Sequence, residues 1–226
     1  VGQRVGVGWE SGSCGTCESC MTGYQNLCGS ATFTVLGPYG GFSERVRAKA
    51  EFAIPIPANL DAAAAGPLLC GGITIFNPML DLDVKPVHRV GVIGIGGLGH
   101  MALKFLNAWG CEVTAISHSP KKESEAKQFG AHHFVNSSDP DQLMKCANSF
   151  DYIISTTNKL EDLTPYIITL RPKGKMVLVG VLVEPIHFQM FPMLIGEKLV
   201  TAGALGSPAN IATMLEFAAR HNILPL

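Results

Sequence analysis

The stretch that decides the fold runs from Arg89 to Gly110 and reads RVGVIGIGGLGHMALKFLNAWG. After Arg89, four residues without a polar side chain predict a buried strand. From Leu98 to Trp109, apolar residues recur at the spacing of one face of an amphipathic helix. Gly110 follows as a helix C-cap, because glycine adopts the left-handed conformation that ends many helices. A strand that leads directly into a helix predicts the first half of a βαβ unit.

Three glycines separate this strand from its helix in the pattern Gly94-x-Gly96-x-x-Gly99, which encloses Gly97 and Leu98. Gly94 is expected to make a tight turn, Gly96 to let the backbone approach a pyrophosphate, and Gly99 to let the helix pack closely on the strand. The N–H groups at the helix start complete an anion site. The pattern predicts a dinucleotide site, and its alternative is a glycine-rich turn without a ligand.

From about residue 61 onward, predicted strands and helices alternate, which indicates right-handed crossovers and an α/β fold with a doubly wound parallel sheet. Ser119-Pro120 is expected to cap and begin the helix that ends at Phe129. Residues 1–60 instead predict short strands and long loops. The predicted strands are Arg4–Gly8, Phe42–Arg47 and Ala53–Pro57 in the first part, with a turn at 37–41, and Val90–Ile93, Glu112–Ile116, Phe134–Asn136, Asp151–Ser155 and Met176–Val181 in the second.

Four of the seven cysteines lie close together, at Cys14, Cys17, Cys20 and Cys28. A structural zinc ion needs four converging thiolates, which closely spaced cysteines in a glycine-containing loop can supply. Disulfides are one alternative, although nothing in the sequence indicates export. An iron–sulfur cluster is another, but in ferredoxins the fourth cysteine follows at three residues and precedes a proline, whereas here it follows at seven and precedes Gly29.

The end of the second strand of the α/β region predicts the choice of nicotinamide cofactor. NAD-binding proteins usually carry an acidic residue there, which holds the ribose hydroxyls. This chain has Ser117 and His118 followed by Lys121 and Lys122, without an acid. Hydroxyl groups and lysines suit a 2′-phosphate, so Ser117, His118 and Lys122 predict NADP(H). The alternative is that the lysines only solvate a helix start.

The composition excludes several other classes of protein. The net charge is −1 without a basic run, so no nucleic-acid-binding surface is indicated. No apolar stretch approaches the roughly 18 or more residues of a membrane span, and no secretory signal is recognisable. We therefore expect a soluble cytoplasmic protein. The chain opens on Val1, inside a predicted strand, so we expect an incomplete polypeptide.

The cysteine and glycine motifs, in this order, resemble the zinc-dependent alcohol dehydrogenases of the medium-chain dehydrogenase/reductase superfamily. The segments GPLLCGGIT at 66–74 and GGLGHMA at 96–102 resemble the cinnamyl alcohol dehydrogenase-like branch. The resemblance extends over essentially the whole chain. It implies a partial GroES-like catalytic domain at 1–70, with the structural zinc, and an NADP-binding Rossmann domain at 71–226.

The resemblance also implies roles for further residues. Cys70 would be a ligand of the catalytic zinc, although on its own it could be an ordinary buried thiol. Phe33 matches an aromatic residue of the substrate pocket, and core packing is the alternative. The positions that would line the cofactor cleft, beyond those already named, are Thr74, Thr156, Thr157, Gly180, Val181, Leu182, Ala204 and Leu205.

The implied activity is zinc-dependent hydride transfer between NADP(H) and a primary alcohol or aldehyde. The family's other catalytic-zinc ligands lie upstream of the segment that matches Val1, so the chain is expected to be truncated and its activity alone is in doubt. A homodimer is expected to form through Pro185–Leu205, an apolar stretch after the last predicted strand. The alternatives are a non-catalytic dinucleotide-binding fragment and a zinc-free, quinone-reductase-like protein.

Overall fold

The computed structural model describes residues 2–36, 40–203 and 205–225. The centre of the predicted turn at 37–41 and the predicted cofactor residue Ala204 lie outside these residues. The described residues form two compact units, which divide between Asn77 and Pro78 and again after Gly203. The first unit contains the described parts of 1–77 and 204–226, and the second contains 78–203.

Two small antiparallel sheets and several short helices make up most of the first unit. β1 (Val5–Gly6) pairs with β4 (Ile54–Pro55), and β2 (Glu10–Gly12) pairs with β3 (Thr32–Phe33). The strand predicted at Phe42–Arg47 is wrong, because Phe42 and Val46 are exposed and their alternation has no core to face. The elements from the N-terminus are β1 (Val5–Gly6), β2 (Glu10–Gly12), α1 (Glu18–Met21), β3 (Thr32–Phe33), β4 (Ile54–Pro55), α2 (Ala62–Pro67) and α3 (Ile73–Asp81).

Helices α2 and α3 are joined without a break by a π-helical turn, Leu68–Gly72. The resulting 20-residue helix, Ala62–Asp81, is long and apolar enough to cross a membrane by length and composition, contrary to the expectation from sequence. Its most apolar 18-residue window is 67% buried within the protein, as in the core helix of a soluble protein. Glycines and prolines interrupt the apolar run in the sequence, and for this reason the sequence did not predict an apolar stretch of this length.

The second unit is an alternation of strands and helices. A 3₁₀ turn at Pro120–Lys122 precedes the second of its helices. Its elements are β5 (Arg89–Ile93), α4 (Gly97–Trp109), β6 (Glu112–Ser117), α5 (Glu123–Gln128), β7 (His133–Asn136), α6 (Pro140–Met144), β8 (Phe150–Ser155), α7 (Thr164–Thr169), β9 (Leu170–Leu178), α8 (Met190–Gly196) and β10 (Leu199–Ala202). The last helix of the chain, α9 (Pro208–His221), belongs to the first unit.

The six strands of the second unit form one parallel sheet in the order β7-β6-β5-β8-β9-β10. The predicted doubly wound parallel sheet is therefore confirmed. Val92 of β5 is the partner of Ala115 on one side and of Ile154 on the other, so β5 and β8 are neighbours although three helices and two strands separate them in the chain. The direction of the strand order reverses between β5 and β8. In open α/β sheets, ligands bind beyond the carboxyl ends of the strands at this switch point.

Helix α4 covers the sheet beside this switch point with the predicted apolar face. Met101, Ala102, Phe105 and Leu106 are buried. Gly110 ends the helix in the left-handed conformation, with φ of +100°, as predicted for a C-cap glycine. This packing fixes where the N-terminus of α4 lies relative to β5.

Ser119 lies at the N-cap position, as expected, but its side chain does not cap the turn. A 3₁₀ turn begins at Pro120, and the side chain of Ser119 makes no capping hydrogen bond. Instead, the backbone N–H of Ser119 donates to Ser117 Oγ over 3.2 Å. The local hydrogen bond of Ser117 therefore closes the turn after β6.

The two compact units differ from the domains predicted at 1–70 and 71–226. Helix α9 associates with the N-terminal part of the chain: the rings of Phe76 and Phe217 lie 5.4 Å apart, and Asn59 Nδ2 donates to Ala219 O over 3.2 Å. The first unit therefore includes the C-terminal end of the chain as well as the N-terminal part. A single boundary in the sequence cannot describe such a unit.

Candidate dinucleotide and metal sites

A cleft of about 590 Å³ lies at the carboxyl ends of β5, β6, β8 and β9. Most of the cofactor residues predicted in the second unit meet there. Ile95, Ser119 and Asn158 also line the cleft but were not predicted; each adjoins a predicted residue in the same turn or loop. The full lining is Gly94, Ile95, Gly96, Gly97, Leu98, Ser117, His118, Ser119, Lys122, Thr156, Thr157, Asn158, Gly180 and Val181.

The three motif glycines have the geometries that their predicted roles require. Gly94 has φ of +85°, a conformation that side-chain-bearing residues rarely adopt. A Cβ added to Gly96 would meet no atom within 4 Å, so the space in front of it is open. A Cβ on Gly99 would overlap the carbonyl oxygen of Gly94. Gly99 therefore serves packing, and Gly96 leaves room for a ligand.

The N-terminus of α4 supplies the polar groups at this end of the cleft. The first N–H groups of a helix have no acceptor within the helix and favour a bound anion. Gly96 is the N-cap residue and has no side chain to satisfy them. His100, in the first turn, is buried beside Phe129, with its Nδ1 atom 3.3 Å from Gly96 O. Burial lowers the pKa of His100, so the neutral ring packs against Phe129.

The other end of the cleft is formed by the turn after β6. Ser117 is buried, whereas His118 is exposed. Lys122 lines the cleft, but its Nζ atom lies 2.5 Å from Glu125 Oε2, so part of its charge is neutralised. Among the described residues that line the cleft, none carries a carboxylate. The cleft thus contains hydroxyl, imidazole and ammonium groups where an acid would select NAD.

Two neighbouring loops complete the cleft. Thr156 Oγ1 donates to Gly94 O over 2.8 Å and lies 3.1 Å from Ile93 O, so the loop after β8 is joined to the glycine turn. A Cβ on Gly180 would overlap the carbonyl oxygen of Thr157, so only glycine allows the turn after β9 to approach so closely. Val181 follows with 79% of its surface exposed.

The four clustered cysteines converge in the first unit. Their sulfur atoms all lie within 4.8 Å of one another, and those of Cys14 and Cys20 are 3.9 Å apart. A tetrahedral zinc site with bonds of about 2.3 Å separates its sulfurs by about 3.8 Å. All four thiols are free, so disulfides are not formed. The donor set and its spacing fit one tetrahedral zinc ion.

Backbone N–H groups point at two of these sulfur atoms. Cys14 Sγ accepts from Thr16 N and Cys17 N at 3.5 and 3.3 Å, and Cys28 Sγ accepts from Ser30 N at 3.4 Å. The hydrogen bonds from Thr16 and then Cys17 lower the pKa of Cys14 to about 5. A thiolate is the form that ligates a metal, so the loop favours the ligating form of this residue before any ion binds.

Cys70 lies in the π-helical turn Leu68–Gly72, and its side chain is exposed. Single π-helical turns inside α-helices are frequent at functional sites. Thr74, one turn later, donates its hydroxyl to Cys70 O over 2.8 Å. Within the part of the chain that the structure describes, Cys70 shares no cluster of three or more candidate ligand groups. Its role at a catalytic zinc stays a prediction.

The other site residues predicted in the first unit make contacts within that unit. Phe33 is half-buried, and its ring lies edge-on to Trp9 with centroids 6.3 Å apart, which is the geometry of packing. Leu205 O accepts from Asn26 Nδ2 over 2.6 Å. The substrate role of Phe33 and the cofactor roles of Thr74 and Leu205 stay predictions.

Comparisons with family models match both parts of the chain. Residues 1–58 match the alcohol dehydrogenase GroES-like domain, and residues 97–220 match the zinc-binding dehydrogenase family. These matches confirm the predicted combination of a GroES-like region with a doubly wound sheet.

Curated relatives agree with the family models. An aldehyde reductase of Synechocystis sp. is 53% identical over 226 residues, which are 100% of this chain and 67% of the relative. A probable mannitol dehydrogenase of Fragaria ananassa is 43% identical over 99% of this chain and 65% of its own length. The chain spans about two thirds of the length of these relatives.

Solved structures show the same likeness. Cinnamyl alcohol dehydrogenase from Sorghum bicolor is 36% identical with a TM-score of 0.91, over 99% of this chain and 67% of that structure. A CAD from Helicobacter pylori, complexed with NADP(H), is 31% identical with a TM-score of 0.89, over 100% of this chain and 67% of that structure. With the four-cysteine lobe and the glycine turn at the switch point, these matches show that the chain belongs to the zinc-dependent alcohol dehydrogenases of the medium-chain dehydrogenase/reductase superfamily, in the cinnamyl alcohol dehydrogenase-like branch.

Proposed function

We propose that the chain binds NADP(H) and belongs to an enzyme that transfers hydride between this cofactor and a primary alcohol or aldehyde. The observation that carries the proposal is the cleft at the switch point, where the glycine turn and the carboxylate-free end of β6 line one space. The aldehyde reductase relative and the NADP(H) complex of the Helicobacter pylori CAD support the same substrate class and cofactor. NADP(H) makes aldehyde reduction the favoured direction.

In this proposal the two ends of the cleft bind different parts of the dinucleotide. The N-terminus of α4 and the open backbone at Gly96 receive the diphosphate. Ser117, His118 and Lys122 receive the 2′-phosphate through hydrogen bonds and charge. No side-chain carboxylate of the described lining opposes that phosphate. The protein's contribution is to orient the cofactor.

Two zinc sites are proposed for the whole enzyme. The four-cysteine lobe would hold a structural zinc, since all its ligands are local and already converge. Cys70 would contribute one thiolate to a catalytic zinc, and its exposed side chain leaves that thiolate accessible. When bound, a catalytic zinc supplies Lewis-acid polarisation of the substrate oxygen, and the nicotinamide supplies the hydride.

The assembly proposed is a homodimer through Pro185–Leu205. Within this stretch, β10 is an edge strand of the sheet, and the apolar side chains before it are exposed. Exposed fractions are 66% for Met190, 68% for Phe191, 66% for Leu194 and 70% for Ile195. An unpaired strand edge beside an apolar surface favours pairing with another chain, and a second copy of this chain is the partner we propose.

Fluorescence titration of the chain with NADPH and NADH tests the cofactor proposal, and an aldehyde-reduction assay tests the activity. We expect tighter binding of NADPH than of NADH. A whole enzyme that binds NADPH but reduces no aldehyde, even with zinc added, would be a non-catalytic dinucleotide-binding protein instead. Binding of neither cofactor would refute the proposal. A zinc-free, quinone-reductase-like protein is disfavoured by the four converging thiols.

A further inference from the structure

Thr156 occupies the residue directly after β8, at the switch point of the sheet. Its backbone N–H donates to Ile93 O over 2.9 Å, while its hydroxyl donates to Gly94 O over 2.8 Å. One residue therefore binds the carbonyl oxygens of two successive residues at the end of β5. The hydroxyl also lies 3.1 Å from Ile93 O, but that oxygen already accepts from the backbone. The bond to Gly94 O is consequently the one that depends on the side chain.

The Gly94 carbonyl needs such a partner because glycine does not fix the peptide that follows it. Glycine has no Cβ to restrict its ψ, so the peptide between Gly94 and Ile95 can tilt about that bond within the range that the φ of Ile95 allows. A trans peptide is planar, so the Gly94 carbonyl and the Ile95 N–H point in opposite directions. A tilt of this peptide would move the Ile95 N–H and, with it, the backbone that leads into α4.

The space around the hydroxyl fits this function. Thr156 Oγ1 lies 3.2 Å from the position of a Cβ on Gly94 and 3.3 Å from that of a Cβ on Gly99. The oxygen thus fills the volume that these two glycines leave open. Valine has the same shape but no donor, so it would fill the space and leave the Gly94 carbonyl without its hydrogen bond. The polarity of the group, and not its size, is what a valine substitution removes.

We propose that Thr156 is a positioning residue of the dinucleotide site, which holds the glycine turn through the Gly94–Ile95 peptide. The inference rests on the proposed function, because it assumes that the glycine turn receives a diphosphate. The inference adds that Thr156, at the end of the neighbouring strand β8, sets the orientation of the glycine turn. The effect should therefore be the same for NADPH and NADH, which share the diphosphate, whereas Ser117 and Lys122 should distinguish the two.

The test compares Thr156→Val with Thr156→Ser and with a matched control. Thr169 is buried in the same unit and away from the cleft, and its hydroxyl donates to Tyr166 O over 2.7 Å. Thr169→Val removes a comparable bond without touching the glycine turn. We expect Thr156→Val to weaken NADPH and NADH binding equally, by about three- to tenfold, which is the range for one hydrogen bond. Thr156→Ser should stay within about twofold of the wild type, and Thr169→Val should lower Tm without changing either affinity.

Amide hydrogen exchange without a ligand gives a second readout. Thr156→Val should speed exchange of the Ile95 and Gly96 amides relative to the wild type, and Thr156→Ser should restore it. Should Thr156→Val not fold, Thr156→Ala carries the same comparison. Wild-type affinity and exchange in the folded variant would overturn the positioning role, as would an effect on NADPH alone. If the wild type binds neither cofactor, the proposed function fails, and the exchange data still decide whether Thr156 orients the turn.

Discussion

Replacing Ser117 by aspartate would place a carboxylate at the end of β6, on the floor of the cleft. Ser117 is 6% exposed, and its Oγ atom accepts the backbone N–H of Ser119 at 3.2 Å. An aspartate oxygen can accept the same bond, so the turn after β6 should keep its conformation. The change therefore adds negative charge with little disturbance of the fold.

The expected loss of NADPH affinity follows from the groups that the substitution affects. A 2′-phosphate carries about two negative charges near neutral pH. Losing one charge-assisted hydrogen bond costs about 1.5–3 kcal/mol, or roughly ten- to a hundredfold in affinity. Repulsion adds to this loss, because a buried carboxylate is poorly screened. NADH has no 2′-phosphate, and an acid at this position can bind its ribose hydroxyls, so its affinity should be unchanged or improved.

Fluorescence titration of both cofactors against wild type and Ser117→Asp measures the effect, with Ser117→Ala to separate charge from loss of the hydroxyl. We expect NADPH to weaken at least tenfold in the aspartate variant and by a smaller factor in the alanine variant. A wild type that prefers NADH, or an aspartate variant that keeps its NADPH affinity, would refute the reasoning and leave the lysines as a solvated helix start.

Three further predictions concern charge, metal and assembly. Glu125→Gln should strengthen NADPH binding about two- to fivefold and leave NADH unchanged, because it frees Lys122 from an exposed ion pair worth about 0.2–1 kcal/mol; equal gains for both cofactors would contradict this. Metal analysis should find one zinc per chain, since one thiolate at Cys70 cannot make a tight site, and Cys17→Ser should lower the zinc content and Tm; two zincs, or none, would contradict it. Sedimentation at micromolar concentration should show a dimer that Ile195→Asp dissociates. Val87→Asp, at an exposed apolar residue outside Pro185–Leu205, should leave the dimer intact; a wild-type monomer would exclude the interface.

The parts of the fold that could be predicted are those set by neighbours in the sequence. Gly94 has a positive φ, Gly99 has no room for a Cβ, and Gly96 leaves open space in front of the backbone. The spacing of these glycines therefore indicated the turn and its helix together. The lobe of Cys14–Cys28 was similarly local, because its ligands lie on one short loop. Neither prediction needed knowledge of distant contacts.

The rest depended on contacts between residues far apart in the chain. Thr156 donates to the carbonyl of Gly94, 62 positions away, and no sequence pattern around either residue predicts that bond. The strand predicted at Phe42–Arg47 had the right alternation but no surface to pack on. The ion pair of Lys122 with Glu125 spans three positions on a 3₁₀–α boundary, and whether it forms depends on rotamers that the sequence does not specify.

The exposure of Cys70 depends on the number of residues in the π-helical turn Leu68–Gly72. In an α-helix, successive side chains are offset by about 100°. Inserting or deleting one residue therefore rotates every following side chain about the helix axis. Here Leu68 and Leu69 before Cys70, and Gly71 and Gly72 after it, are buried while Cys70 is exposed. Deleting a single glycine from this turn would shift the phase of α3 relative to α2, and either the apolar face or the thiol would lose its present orientation. Conservative substitutions on both sides should be tolerated far better than any change in length.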